Sequence, residues 1–454
     1  MFFALLLLIT IISGALVTYL YDQDAPPAAR LCAGACIGFA ALGLIGLISA
    51  SFLGLTPVAL VLTALFIASP FLLLLDTKRR AEVRGDLAAS VRSVRRAILH
   101  PTLSATGYFI FYALVSILLW HVFDRAMFER ADGIYTGAVN NYGDLPFHLS
   151  VITRFVYGEN FPPEDPTYAG VRFTYPFLTD LLAAMFVRAG ASLRRAMFVE
   201  NFLLGLAFVG LVHRWVWELT RDRIAAVLSP VLVLLSGGLG WWLFLREIRK
   251  SEQGLFAMLG QLSHDYTIMP DSVWRWGNSL TTLLVTQRGI LLGLPLAVIV
   301  FTQWWLALED CEKGEEPTEE RKKKAKDKNK KPPASASLSP SSFFHSPPIR
   351  RMIAAGAVAG LLPLAHAHSL VVVMSVGACY AVLLMIMWMG HGRLARGWRL
   401  WAAFFAVASI IAVPQMWWAT HDSAVHAGSF FEWHLGWDRG AEHPIWFWFK
   451  NTGL

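Results

Sequence analysis

Apolar runs of about 20 residues recur along the chain, separated by polar intervals. Such a run is long enough to cross a hydrocarbon core about 30 Å thick. The segments lie at roughly 2–20, 31–53, 56–75, 103–123, 174–190, 197–219, 224–246, 289–308, 350–364, 367–389 and 399–418. Helices satisfy their own backbone hydrogen bonds in lipid, whereas a β-barrel would show short alternating segments. The pattern therefore predicts an all-α, polytopic transmembrane protein with about 10 to 11 apolar segments.

Two parts of this pattern are irregular. Segment 174–190 is short and opens with Tyr175-Pro176. The pattern is therefore compatible with a full span, a re-entrant element or a surface element. The pair 350–364 and 367–389 is divided by Pro363 and by His366-Ala367-His368, which leaves one broken helix as an alternative to two. The first segment has no basic residues before it and no A-x-A-like cleavage site, which predicts a retained helix rather than a signal peptide.

Composition agrees with a membrane protein: 56% of residues are hydrophobic, 16% are charged and the mean hydropathy is +0.49. The net charge of +7 does not indicate nucleic-acid binding, because most of the basic excess lies in two stretches between apolar segments. The four cysteines have neither the spacing of a zinc site nor that of a disulfide framework.

The two basic stretches, 77–100 and 310–351, predict orientation. Loops rich in Lys and Arg favour the cytoplasm, so we expect both stretches there and the intervals 124–173 and 247–288 outside. An even number of crossings must then separate these two outer loops. Since three apolar segments lie between them, we expect 174–190 not to cross.

The basic stretches have two interpretations. They are solvated linkers, or they bind anionic lipid headgroups.

Four regions follow from these features. Residues 1–101 hold N-terminal transmembrane helices and a basic cytoplasmic loop, and 102–309 hold a transmembrane unit with long extracytoplasmic loops that carry short helices. Residues 310–349 form a Lys/Glu- and Pro/Ser-rich linker that cannot bury a core. Residues 350–454 add C-terminal helices and a Trp-rich outer segment, and the abrupt end of the sequence suggests a truncated chain.

Candidate chemistry centres on the polar interval 132–180. Asp144 followed by Pro146 is typical of a helix start, with Asp as the N-cap and Pro in the first turn. A helix over 145–157 would place Asp144 and His148 near one face, one turn apart. That spacing suits an acid/base pair or two ligands of a divalent cation. Asp180 lies inside an apolar segment, so we expect it to face protein or water rather than lipid.

Other polar residues are predicted to contact substrate. Arg288 opens an apolar segment on the predicted outer side, where it could hold a phosphate or anchor the helix. His366 and His368 are unusual at a helix break in the membrane, although their spacing would direct them to different helix faces. Glu432 and Trp433 suit either a sugar-binding surface or an interfacial aromatic belt. The further candidate substrate contacts are Asn141, His264, Asp265 and Gln287.

The stretch GDLPFHLSVITRFVYGENFPP, an acid in an outer loop followed by a Pro- and aromatic-rich re-entry, resembles the GT-C type membrane glycosyltransferases. These include the protein mannosyltransferase and aminoarabinose transferase relatives, and the resemblance is to bacterial members of unknown acceptor. It implies a sugar donor on polyprenyl phosphate and transfer outside the cytoplasm, hence a multi-pass protein of the bacterial inner membrane. Asp144 matches the loop carboxylate, and Arg288 is a weaker match for a donor-phosphate contact.

The sequence departs from that family in two respects. Members often carry two acids close together in the loop, whereas Leu145 follows Asp144 here. Three apolar segments precede the loop-bearing unit, where a typical member has one. No P-loop, GxGxxG, HExxH or GxSxG motif occurs in a suitable context. The resulting hypothesis is a membrane glycosyltransferase with Asp144 as base and His148 as its partner. The sequence predicts no specific cofactor, and it leaves open whether Asp144 and His148 bind a divalent cation. A transporter or flippase and a non-catalytic assembly subunit remain the alternatives.

Overall fold

The computed structural model describes residues 1–158, 160–168, 170–252, 254–266, 268, 274, 277–313, 346–388, 394–421, 435–436 and 439–452. The helices of the first half are α1 (Phe2–Thr18), α2 (Pro27–Leu53), α3 (Pro57–Ile67, continued by a 3-10 helix over Ser69–Leu75), α4 (Thr77–Leu99), α5 (Leu103–Ala126), α6 (Asp144–Tyr157), α7 (Leu178–Arg188) and α8 (Leu193–Thr220). The second half has α9 (Arg223–Leu235), α10 (Gly240–Ile248), α11 (Leu255–Gly260), a π-helical turn (Ser279–Leu284), α12 (Arg288–Lys313), α13 (Pro347–Gly360), α14 (Pro363–Trp388), α15 (Leu394–Thr420) and α16 (Pro444–Thr452). A hairpin of β1 (Phe128–Arg130) and β2 (Gly133–Tyr135) is the one sheet among the described residues.

The all-α, polytopic prediction is confirmed at this level. Within the described residues, seven helices are long and apolar enough to cross a membrane, or eight if the bent pair α9 and α10 is one span. The predicted number of apolar segments was larger because several of them form shorter helices: α1 has 17 residues, α7 has 11 and α13 has 14.

Three helices form the centre of the bundle. In the most apolar window of each, 78% of α12, 67% of α2 and 61% of α8 is buried, against only 11% of α5. A helix that is apolar all round must pack on other protein or on lipid. We therefore place α2, α8 and α12 inside the bundle and α5 at its periphery.

Helix α7 is short and enclosed. All nine residues from Leu178 to Phe186 are buried, and 11 residues of helix extend only about 16 Å. That length cannot cross the hydrocarbon core, in agreement with the expectation that 174–190 is not a full span. Helix α6 packs on α7 through residues spaced three or four apart, a pattern that gives a helix one apolar face; these are Leu145, His148, Val151, Ile152, Phe155 and Val156.

Two segments have local structure that the hydropathy pattern did not show. Segment 224–246 is not one straight span, because α9 and α10 meet at a bend of 79°. A side chain at Gly238 would meet the carbonyl oxygens of Lys450 and Asn451 in α16, and the Leu239 amide donates to Lys450 O at 2.6 Å. The basic stretch 77–100 connects two candidate spans, and within it α4 is helical over 23 residues. Linker residues 314–345 lie outside the described residues.

Candidate functional site

Asp144 lies at the first residue of α6, one position later than an N-cap. Gly143 is the N-cap, and no side-chain cap bond forms there, so the predicted capping role of Asp144 was wrong. Its carboxylate contacts another element instead: Gln287 Nε2, just before α12, donates to Asp144 Oδ1 at 3.3 Å. The side chain therefore joins two elements that begin at the same end of the bundle.

The surroundings of Asp144 change its acidity. Partial burial raises the pKa of this carboxyl above its ordinary value, and the nearby His148 offsets part of that rise. Tyr175 completes the polar surface, since its hydroxyl donates to Gln287 Oε1 at 3.4 Å. Burial and the carboxylates of Asp180 and Asp144 raise the pKa of Tyr175 to about 12, so this phenol stays neutral at physiological pH.

A buried ionic network lies beneath Asp144. His148 Nδ1 lies 2.8 Å from Asp180 Oδ2, and Arg288 Nε donates to Asp180 Oδ1 at 3.0 Å. Arg288 also donates to Glu200 Oε2 at 2.7 Å and to Asn201 Oδ1 at 3.3 Å. Asp180 is fully buried, which confirms the expectation that it avoids lipid. The sequence predicted that His148 would pair with Asp144, whereas in the structure the acidic partner of His148 is Asp180.

Both ring nitrogens of His148 have partners outside α6. Its Nε2 lies 3.2 Å from the carbonyl oxygen of Thr286, and its Nδ1 lies 2.8 Å from Asp180 Oδ2. These contacts fix the orientation of the ring. Arg288 is the guanidinium that the carboxyl groups of Asp180 and Glu200 share. Buried acidic groups need partners of this kind.

Burial excludes Arg288 from the role that the sequence suggested. It opens α12 as predicted, but its side chain is only 2% exposed and is committed to Asp180, Glu200, Asn201 and the carbonyl oxygen of Thr179. The predicted contact with a donor phosphate has no geometric support. A cavity beside it, lined by Asn141 and His148 among others, has a volume of only about 10 Å³, room for about one water molecule. A sugar would have to bind on the exposed side of Asp144.

The remaining predicted residues divide into two groups. His366 lies near the site, because a side chain at Gly293 or Gly289, in the first turns of α12, would meet it. Non-helical backbone at His366 brings its ring within 5.5 Å of His368, so the expectation that the two rings diverge was wrong. Buried Asn141, at the end of a 3-10 turn over Val139–Asn141, donates to Ala126 O at 3.0 Å and ties the segment before α6 to the end of α5.

The second group lies elsewhere. His264 Nε2 is 3.3 Å from Glu247 Oε1, and its ring packs on Tyr266. Exposed Asp265 accepts from the Ile268 amide at 3.4 Å. Glu432 and Trp433 lie outside the described residues. Within the described residues, no group of three or more His, Cys, Asp or Glu side chains that could hold a metal ion occurs at Asp144 and His148 or elsewhere.

Comparison with known proteins does not assign this chain to a family. No family model, curated protein or solved structure matches this chain. The site is therefore interpreted from its own geometry.

A second polar cluster lies at the opposite end of α8 and α12. Asp22 Oδ2 pairs with Arg214 at 2.7 Å and accepts from Gln303 Nε2 at 2.8 Å, while Asp22 Oδ1 pairs with Arg351 at 2.9 Å. Burial opposes ionisation of Asp22, but the two arginines outweigh it and hold its pKa below the ordinary value. A cavity of about 630 Å³ opens beside this cluster, with Tyr108, Tyr112 and Trp217 among its lining residues.

Sequence reasoning missed most of the buried partners. Glu200, Arg214 and Asp22 were not singled out, although a charged residue inside or beside an apolar segment is a detectable signal. Which charges pair could not be read from the sequence, because Asp180 and Arg288 are 108 residues apart.

Proposed function

We propose that this chain is a membrane glycosyltransferase that transfers a sugar from a polyprenyl-phosphate donor to a hydroxyl acceptor outside the cytoplasm. The observation that carries the proposal is the state of Asp144: a partly exposed carboxylate with a raised pKa, held by Gln287 over a sealed ionic network. Asp180 and Glu200 are buried against Arg288, whereas Asp144 keeps access to a substrate.

In the proposed reaction, Asp144 acts as general base. The acceptor oxygen attacks the anomeric carbon while the carbon–oxygen bond to the donor phosphate breaks, and the polyprenyl phosphate leaves with the bonding electrons. The acceptor proton moves to the Asp144 carboxylate. A raised pKa makes a carboxylate a stronger base, provided that it stays ionised at working pH. His148 acts as a positioning residue, since its ring is fixed by Asp180 and Thr286.

The proposed setting is the inner membrane of a bacterium, with α6 at the periplasmic face. Membrane lipids and the lipid-linked donor are then the partners, and no nucleic acid is involved. A carboxylate base needs no metal, so the proposed mechanism assigns no step to a divalent cation.

The test uses the purified full chain in lipid nanodiscs with polyprenyl-phosphate mannose and polyprenyl-phosphate aminoarabinose as radiolabelled donors. We expect Asp144→Asn to lower transfer by about 10²- to 10⁴-fold, the usual contribution of a general base. Asp132→Asn, in the turn between β1 and β2, makes the same chemical change away from the site and should retain activity. Equal transfer by Asp144→Asn and the unmodified chain would remove Asp144 from the mechanism.

A transporter is the second candidate, favoured by one observation. Helix α8 carries buried charge near both ends, at Glu200 and Arg214, and charged residues inside transmembrane segments often mark substrate or ion paths. Counterflow of a labelled lipid-linked sugar in proteoliposomes, without covalent transfer, would favour this alternative over the enzyme.

A further inference from the structure

Helix α4 runs between two candidate spans without burying any of its 23 residues. The segment Pro57–Leu75 precedes it, and only three residues separate its end from α5; both neighbours are apolar enough to cross a membrane. A helix of this length extends about 35 Å. Because both of its ends are tied to spanning segments, we expect α4 to lie at the level of a membrane surface.

One face of α4 is apolar and unpartnered. Its residues are spaced by three or four positions, which places them on a single stripe; they are Val83, Leu87, Val91, Val94 and Ile98. Leu87 is 64% exposed, Val91 61%, Val94 59% and Ile98 73%. The protein itself therefore leaves most of this stripe uncovered.

The two acids of α4 are engaged with residues that fix its orientation. Asp86 accepts from the Tyr19 hydroxyl at 2.8 Å and lies 3.4 Å from Arg30 Nε. Glu82 pairs with Arg79 at 3.0 Å, and Arg79 also donates to Tyr19 O at 2.7 Å. These contacts determine which side of α4 faces the bundle, and they pair both carboxylates of the helix.

The other basic residues of α4 have no acidic partner within the described part of the chain; they are Lys78, Arg80, Arg84, Arg92, Arg95 and Arg96. On a helical projection Arg80 is in line with the apolar stripe, at its N-terminal end, Arg84 and Arg95 border one side of the stripe, and the rest lie farther round. An apolar stripe beside long cationic side chains is the pattern of helices that lie in the plane of a bilayer. Nucleic acid would be complementary to the charge but not to the stripe.

We propose that α4 is an in-plane anchor that binds an anionic lipid surface. The apolar stripe enters the boundary between headgroups and acyl chains, and the arginines reach lipid phosphates. Acidic headgroups attract each basic residue near the surface, while the methylene stems of the arginines stay along the apolar boundary. The proposal is independent of sugar transfer, since no residue of α4 belongs to the site around Asp144.

Trypsin provides the test, because it cleaves after the same basic residues. The purified full chain is placed in nanodiscs of phosphatidylcholine, with or without phosphatidylglycerol, and cleavage within 77–99 is followed by mass spectrometry. Binding should bury the cleavage sites, so we expect cleavage at least about tenfold slower with phosphatidylglycerol, an effect lost at high salt. Equal cleavage rates in both lipids would overturn the proposal.

A matched pair of variants separates the stripe from charge alone. Leu87→Glu places an acid in the stripe, whereas Ala89→Glu places the same acid on the far side of α4. We expect Leu87→Glu to lose most of the protection and Ala89→Glu to keep most of it. Equal loss in both variants would contradict docking through the stripe. Protection in phosphatidylcholine nanodiscs that appears only when RNA or an acidic protein is added would instead identify a different partner and overturn the proposal.

Discussion

Asp144 and Asp180 are carboxylates of one site in opposite surroundings. Asp180 is buried and lies between the Arg288 guanidinium and the His148 ring. Asp144 is partly exposed, and the hydrogen-bond donor to its carboxylate is a neutral amide, Gln287. A neutral donor stabilises the ionised form less than a salt bridge does, so desolvation determines the direction of the shift at Asp144. Under the proposed mechanism, this difference favours Asp144 over Asp180 as the base.

The raised pKa of Asp144 predicts the pH dependence of transfer. The base must be ionised, so activity should be lost as pH falls through this pKa, with a midpoint above the value near 4 of an ordinary Asp. Gln287→Leu removes the donor that stabilises the carboxylate, and the acidic limb of kcat/KM against pH should move to still higher pH. A limb that stays in place in Gln287→Leu would contradict the assignment of the base.

The raised pKa of Asp144 also predicts how its substitution affects stability: Asp144→Asn should not destabilise the fold, although it lowers activity. Folding raises the pKa of Asp144, so the native state binds more protons, and stability falls as pH rises through the raised pKa. At pH 7 the ionised group is therefore unfavourable. We expect Asp144→Asn to leave the free energy of unfolding unchanged or higher, as measured by denaturant titration in detergent. A clear loss of stability would mean that inactivity reflects misfolding.

Removing Arg288 should be far more damaging than removing an exposed arginine. Arg288→Met leaves Asp180 and Glu200 buried without their shared partner, and breaking a buried pair costs about 3–5 kcal/mol. Arg194→Met breaks a pair with Asp124 in which both side chains are 40% exposed or more, and screened pairs contribute about 0–1 kcal/mol. Denaturant or thermal unfolding of both variants checks the difference, and equal losses would contradict the role given to the network.

At the level of elements, α1 and α2 pack through glycine. A side chain at Gly14 would meet the Gly34 carbonyl oxygen, so the two backbones touch, as in other close contacts between transmembrane helices. Gly14→Ala should therefore cost about 1–3 kcal/mol through overpacking. Gly107, in α5, has open space around its Cα, and Gly107→Ala should be neutral or stabilising by up to about 1 kcal/mol. Thermal unfolding compares the two, and a neutral Gly14→Ala would contradict this packing.

The sequence pattern predicted elements better than contacts. Apolar length located nearly every span, and Asp144-Leu145-Pro146 located the start of α6 to within one residue. Hydropathy could not show the bend between α9 and α10, because the cause is an approach by α16 about 200 residues later. Hydropathy also could not show that α4 is helical. Its many basic residues lower the average hydropathy, although its apolar residues are spaced three or four positions apart. Among the candidate-site residues, the sequence singled out Asp144, Asp180 and Arg288, but it missed Glu200 and Arg214 inside the long apolar helix α8.

At the scale of the molecule, the polar clusters lie at opposite ends. The α6 end carries Asp144 and the Arg288 network, and the other end carries Asp22 and the start of α4. Lys- and Arg-rich connections favour the cytoplasm, which predicts that the α4 end faces it. Val139→Cys should then react with an impermeant maleimide in intact cells, and Ala89→Cys only after permeabilisation, in a Cys379→Ser background. The reverse pattern would invert the proposed orientation.

The arrangement of Glu200, Arg214, Arg288 and Gln303 limits how the protein can move. Helix α8 is joined to α12 by Glu200 and Arg288 at one end, and both helices are held by Asp22 at the other. Sliding α8 along α12 by one turn, about 5.4 Å, would break both connections at once and leave buried charged groups without their partners. The two helices should therefore behave as one rigid strut. Any opening that admits the proposed lipid-linked donor should therefore involve less buried helices such as α5 or α14.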